Sequence, residues 1–176
     1  MSSAGRFADE PLFQNADHAL RFAYGRRSPF VDSVRYITDM LVRRGRTSPL
    51  GELSPQDRIA QAGMILAFVG RMRQDEQACI EARYTRDLRR AAAQQVLTGA
   101  VLPCLTGVTH RRMIYELVAR HYGKKVHLGM LAKRFTVRRS LVTEKREVVE
   151  RELQRVERRA DGLVILYLQM AGLVRA

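Results

Sequence analysis

The chain has 176 residues, 31 of them Lys or Arg against 18 Asp or Glu, so it carries a formal charge of +13; 46% of it is apolar. That length holds one domain or two very small ones, with enough chain to bury a core, and the composition is that of a globular protein rather than a disordered tail. Disulfide scaffolds and four-cysteine zinc sites are excluded, because Cys79 and Cys104 stand alone. No apolar run reaches the roughly 18 residues of a membrane span; the longest, Gly162 to Val174, is interrupted by Gln169. The opening MSSAGRFADEP lacks the apolar core of a signal peptide. A cytoplasmic protein with no membrane partner is expected.

In chain order, residues 1–13 read as a flexible arm closed by Pro11. Asn15 or Asp17 can cap a first helix over Ala16–Tyr24, with Ala19, Leu20, Phe22 and Ala23 on its apolar side. After the breaker Gly25–Pro29, a second helix is expected at Phe30–Arg43, where Val31, Val34, Ile37, Met40 and Leu41 recur at helical spacing. A loop over residues 45–57 ends in a strong helix start, with Ser54 as N-cap, Pro55 at the first position and Asp57 in the first turn. The third helix, Pro55–Arg73, is apolar in its second half and is expected to be the central core helix of the N-terminal half. A further helix covers Asp75–Leu97. Residues 98–109, with two glycines and Pro103, are the best boundary between halves. Cys104, beside Pro103, reads as a buried thiol.

No β-type alternation occurs, so the fold is expected to be all-α. A helical N-terminal bundle (14–104) is followed by a helix-turn-helix domain (105–159) and an apolar C-terminal helix (160–176). That last segment either folds back on the N-terminal half or forms a face for a partner or a second copy.

Charge is unevenly spread. Residues 1–109 hold 15 basic and 11 acidic side chains, residues 110–176 hold 16 and 7, and Arg120–Arg146 alone holds nine basic residues against Glu144. Such a run is either a solvated helix face or a surface for a polyanion.

The run coincides with a recognisable order of elements. A helix at His110–Tyr122, ended by Gly123, leads through residues 124–127 to a short helix, Leu128–Phe135. A turn of three residues, Thr136–Arg138, then precedes a long helix from Arg139 to about Arg159. A short helix crossing a long one steeply needs a small contact residue, which Ala132 supplies. Leu131, Phe135, Val137, Leu141 and Val142 complete the expected core. Arg138, Arg139, Ser140 and Thr143 are left on the outward N-terminal turns, the positions that enter a major groove. Arg138 and Arg139 can bind guanine edges or phosphates; Ser140 and Thr143 can bond to DNA or cap the helix. Arg120, Lys124, Lys125, Lys133, Arg134 and Arg146 are candidates for phosphate contact. An ordinary αα-hairpin fits the same spacing.

The stretch LGMLAKRFTVRRSLVTEKREVVERELQRVE, with ELVARHYG before it, resembles the four-helix domain by which bacterial sigma factors read the −35 promoter element. It resembles still more the phage late-gene antiterminators of the Q type, through Leu117, His121-Tyr122, Lys124-Lys125 and Leu131-Ala132-Lys133. The resemblance covers residues 110–157. It implies a DNA-binding regulator acting on host RNA polymerase with its sigma factor, which travels with the enzyme past terminators. Thr136 stands where glycine is common in such turns. Lys145 stands where an aliphatic residue is usually buried, leaving Val148 to anchor the long helix. The zinc-finger cysteines of one branch are absent.

His18, His110, His121 and His127 are scattered, no paired carboxylates or phosphate-binding glycine loop occurs, and neither catalysis, a metal nor a cofactor is expected. Double-stranded DNA and, by the resemblance, RNA polymerase are the expected partners; the oligomeric state is open. A sigma-like or repressor-type regulator, a phage packaging subunit with a helix-turn-helix, and an RNA-binding protein are the competing readings.

Overall fold

The computed structural model describes residues 11–25, 53–107 and 110–175. Among them the chain is all helical: α1 (Ala16–Gly25), α2 (Pro55–Val69), α3 (Gln74–Tyr84), α4 (Asp87–Val101), α5 (Arg111–His121), α6 (Leu128–Arg134) and α7 (Arg139–Met170), with a 3-10 turn at Leu102–Cys104. The helix expected at residues 30–43 and most of the expected arm lie outside the described residues. None of the described helices is long and apolar enough to cross a membrane.

The chain divides into two units, residues 1–71 with 161–176, and residues 72–160. In the first, Asn15 caps α1 by accepting the His18 N–H at 2.8 Å. Ser54 caps α2, its Oγ accepting the Asp57 N–H at 3.1 Å. α2 stops at Val69 rather than Arg73 because Gly70 closes it, and the residues that follow serve the next helix: the Arg73 N–H donates to Glu76 Oε2 at 3.3 Å. Phe13, Leu20, Ala23, Ile65, Val69, Val164, Leu168 and Leu173 are buried in this unit. Phe13, expected in the flexible arm, donates its N–H to the Leu173 carbonyl at 2.9 Å. The last residues of the chain therefore group with the N-terminal segment.

The second unit corrects three expectations. Residues 75–97 form two helices, not one. Thr85 ends α3 by turning its N–H and hydroxyl onto the Glu81 carbonyl (2.9 and 2.6 Å). Arg90 Nε reaches back from α4 to the Ala82 carbonyl at 2.9 Å. Two carbonyls of the last turn of α3 thus keep hydrogen-bond partners although the helix ends there. Second, packing does not divide the chain at 104/105. Ala78, Cys79 and Ala82 of α3, Leu97 and Val101 of α4, Ile114, Leu117 and Val118 of α5, Leu131 and Ala132 of α6 and Val142, Val149, Leu153 and Val156 of α7 share one core. α5 cannot bury its apolar stripe without α3 and α4, so both sides of that boundary belong to one folding unit. Third, α7 runs on to Met170, so residues 160–170 are its last turns rather than a separate helix. Cys79 is the buried thiol; Cys104 is exposed.

A carboxylate ties three helices of this unit together. Glu157 Oε1 on α7 lies 3.1 Å from His121 Nε2 on α5 and 3.4 Å from Arg83 Nη2 on α3. Beside it the Tyr122 hydroxyl donates to Cys79 Sγ at 3.5 Å; burial, then the Cys79 sulfur, holds that phenol far above its usual range. Arg159 adds a second tie from α7 to the start of α3, with Nη2 at 2.9 Å from Asp75 Oδ2 and Nε at 3.5 Å from Glu76 Oε1.

Burial alone would raise the Glu157 pKa, but the His121 hydrogen bond and charge, together with Arg83, outweigh it and hold the carboxyl below its ordinary value. A carboxylate with a depressed folded-state pKa stabilises fully above its unfolded value and loses that contribution as pH falls through the folded one. Glu157→Gln should therefore lower stability by about 1–2 kcal/mol at pH 7. Its deficit against wild type should shrink as pH falls below the ordinary carboxylate range and through the lowered folded-state pKa. Urea unfolding at several pH values checks this; a deficit that stays constant across the range contradicts the role given to the charge.

Candidate nucleic-acid interface

The Arg120–Arg146 segment is built from the outside of one core. α5 ends at Gly123, whose φ of 94° suits a residue without a Cβ, and the Lys124 N–H closes onto the Ala119 carbonyl at 3.0 Å. Arg120 donates from Nη1 to the Val126 carbonyl and pins the connection into α6. At the end of α6 the Thr136 N–H donates to the Lys133 carbonyl (3.2 Å) and the Val137 N–H to the Ala132 carbonyl (3.0 Å). This is a Schellman closure, and its left-handed residue is Thr136, with φ of 54°. Val137 is thereby turned onto the core beside buried Ala132 and Leu131.

The turn delivers the chain directly into α7. The Arg138 carbonyl accepts the N–H groups of Leu141 (3.1 Å) and Val142 (3.3 Å). An arginine side chain has no acceptor with which to cap the free N–H groups of the first turn. Arg138, Arg139 and Ser140 are all exposed, and neither arginine is engaged by any carboxylate among the described residues. No acidic residue occupies the first turn of α5, α6 or α7, whereas Asp57 and Asp75 with Glu76 fill that place in α2 and α3. First turns without acids, flanked by free cations, favour an anion from outside.

The remaining expected site residues divide sharply. Lys125 and Lys133 are exposed and have no partner among the described residues. Lys124 (2.8 Å) and Arg134 (4.0 Å) share the carboxylate of Glu116. Arg146 is turned along its own helix towards Glu150 (3.6 Å) and Glu147 (3.8 Å) and is mostly covered, and Arg120 is engaged by a carbonyl, so both are less available than the exposed lysines. Thr143 donates its hydroxyl to the Arg139 carbonyl at 3.2 Å, one turn back on the same helix. In the expected core, Leu131, Ala132 and Val142 are buried, Phe135 and Val137 pack against them, and Leu141 is half-buried outside the cluster. Lys145 does take the buried aliphatic position, its stem covered and its Nζ at 2.9 Å from Glu144 Oε1. The neighbouring anchor is Val149, fully buried, with Val148 packed at the margin.

Sequence reasoning missed Arg111 and Arg112. Both are exposed in the first turn of α5, and the preceding His110 ring packs 5.3 Å from Phe135, beside the turn that introduces α7. The signal was present: two arginines at a helix start oppose the macrodipole and ask for an anion. Among the described residues, no group of three or more His, Cys, Asp or Glu is placed to hold a metal ion.

No protein-family model matches this chain, and no curated protein is similar enough in sequence to count as a relative.

The left-handed Thr136 offers a test of how the turn is held. A non-glycine residue there costs about 1–2 kcal/mol, while glycine gives back about 0.4–1 kcal/mol through the unfolded chain. Thr136→Gly should stabilise the protein by up to about 1 kcal/mol, read as a higher urea midpoint with an unchanged slope. Destabilisation would mean that the threonine side chain holds the turn.

Proposed function

We propose that this protein binds duplex DNA through the first turn of α7 and regulates transcription. The observation that carries this reading is the pair Arg138 and Arg139: exposed, unengaged, and held at the start of a long helix by a turn closed on the backbone. An arginine in such a place can make bidentate contact with guanine, worth about 1–3 kcal/mol of discrimination. Ser140, Lys125, Lys133, Arg111 and Arg112 surround it with donors suited to phosphates. Single-stranded RNA is the poorer fit, because the aromatics of this segment are occupied: Tyr122 is buried and Phe135 packs on the core.

The finer reading is a phage or prophage antitermination factor that engages RNA polymerase and its sigma factor. It rests on the sequence resemblance of residues 110–157. A sigma-like or repressor-type regulator would use the same DNA-binding turn without travelling with the polymerase.

Arg139→Ala should cost the preferred sequence roughly 10–100-fold in affinity while affecting random duplex far less. Lys125→Ala should weaken both alike and reduce the salt slope by about 1. With Arg120 and Arg146 committed internally, three or four phosphate contacts remain, and log K against log salt should fall with a slope of about −3 to −4. Selection of a preferred duplex, followed by titrations at several salt concentrations, checks all three; equal losses on both DNAs for Arg139→Ala would remove it as a base reader. In vitro transcription through a terminator, on templates carrying the gene's adjacent DNA, should show increased readthrough when the protein is added. Unchanged readthrough would discard antitermination and leave DNA binding standing.

A further inference from the structure

The last turns of α7 depart from the rest of the helix. Residues 162–170 contain no charged side chain in a chain whose composition is 28% charged. Val164 and Leu168 are buried on one side. Leu163, Leu166 and Met170 recur at three- and four-residue spacing on the other side and are 40%, 55% and 81% exposed. α2 extends this face: the Phe68 ring stacks on Tyr167 at 4.0 Å, the Tyr167 hydroxyl lies 3.5 Å from the Met64 carbonyl, and Met64 is itself 48% exposed. A helix segment apolar all round is ordinarily covered on every side. With the half-buried rings of Phe68 and Tyr167, Met64, Leu163, Leu166 and Met170 expose on the order of 400–500 Å² of largely apolar surface, within the size range that marks an interaction site.

We infer that this face is where two copies of the chain pair, back to back about a two-fold axis. A copy is the occupant that the chemistry favours. The face offers no charge by which to select an acidic or basic partner, and it is complementary to itself in kind. Two such patches bury on the order of 1,000 Å² together, the threshold of a specific interface, and two-fold pairing is the commonest way to satisfy one. Gly162 leaves open space at its Cβ position, with nothing within 4 Å, so a second helix can approach closely there. The inference does not depend on the DNA-binding reading.

Pairing of two chains that each carry +13 is opposed by long-range repulsion. Association through this face therefore strengthens as salt is added, opposite in sign to any assembly bridged by a polyanion. The experiment is sedimentation equilibrium of the nuclease-treated full chain across a range of concentration and salt. A monomer of 20.1 kDa should convert to a species of about 40 kDa, more readily in high salt. The double variant Leu166→Glu, Met170→Glu should weaken that conversion by roughly a hundredfold with an unchanged thermal midpoint. Any of three results would overturn the pairing: a monomer at about 100 μM in high salt, a dimer indifferent to the double variant, or a double variant that lowers the monomer's own thermal midpoint, which would mean the face is covered within one chain.

Discussion

The hydrogen bond from the Val137 N–H to the Ala132 carbonyl is the constraint on which the candidate interface depends. It fixes the direction in which the chain leaves α6, places Arg138 just before the start of α7, and turns Val137 inward while the two arginines after it face out. Three helix ends among the described residues use the same closure. Those after His121 and Met170 place glycine at the left-handed position, at Gly123 and Gly172; the one before α7 places Thr136 there. A β-branched residue in that conformation is held by its surroundings against its own preference. The energy comes from the packing on either side, where Leu131, Ala132 and Val142 are buried in the common core. The exposed first turn of α7 is thereby displayed on helix backbone rather than on a loop.

Availability of charge, rather than its density, distinguishes the surface. Carboxylates of the second unit are largely spent on holding cations in structural places: Glu116 faces Lys124 and Arg134, Glu150 faces Arg146, Glu157 takes His121 and Arg83, and Asp75 with Glu76 takes Arg159. Arg120 is satisfied by a carbonyl. Among the described residues of this unit the exposed cations left over are Arg86, Arg89, Arg111, Arg112, Lys125, Lys133, Arg138, Arg139, Arg151 and Arg158; four of these ten stand at the starts of α5 and α7, and Arg86 and Arg89 flank the start of α4. Like charges at a helix start repel the dipole there, so these residues lower the stability of their own helices by some tenths of a kcal/mol each. An anion supplied from outside would relieve that repulsion at each of these helix starts.

Much of this arrangement could be read from the sequence, and the misses have physical causes. Local signals served well: Ser54-Pro55 and Asn15 start their helices as expected, Gly123 ends one, and Leu131, Ala132 and Val142 occupy the core. Failures arose where a distant group decides. The break at Thr85 contains neither glycine nor proline and is stabilised by Arg90 from the next helix. A charge count likewise does not show that Arg120 has a carbonyl and Arg146 a carboxylate within reach. The boundary at residues 104/105 followed a genuine local change, the 3-10 turn around Pro103, but α5 shares its apolar stripe with α3 and α4. The change of composition after Ala160 was likewise real, yet it alters which residues surround the helix and not whether the helix continues.

That change of composition has consequences for how the protein meets other molecules. From Arg139 to Arg159, α7 carries charged residues throughout; from Gly162 to Met170 it carries none. Ionic strength acts in opposite senses on surfaces of these two kinds. Contacts between cations and a polyanion weaken as counterions compete, whereas apolar contact between like-charged molecules strengthens as their repulsion is screened. Net charge also guards the apolar face: at low salt a chain of +13 keeps copies apart, limiting the indiscriminate association that an exposed patch of this kind invites. Binding to a polyanion would neutralise part of that charge and lower the repulsion between neighbouring chains. Electrostatics alone would then couple occupancy of a duplex to contact between apolar faces, with no conformational change required.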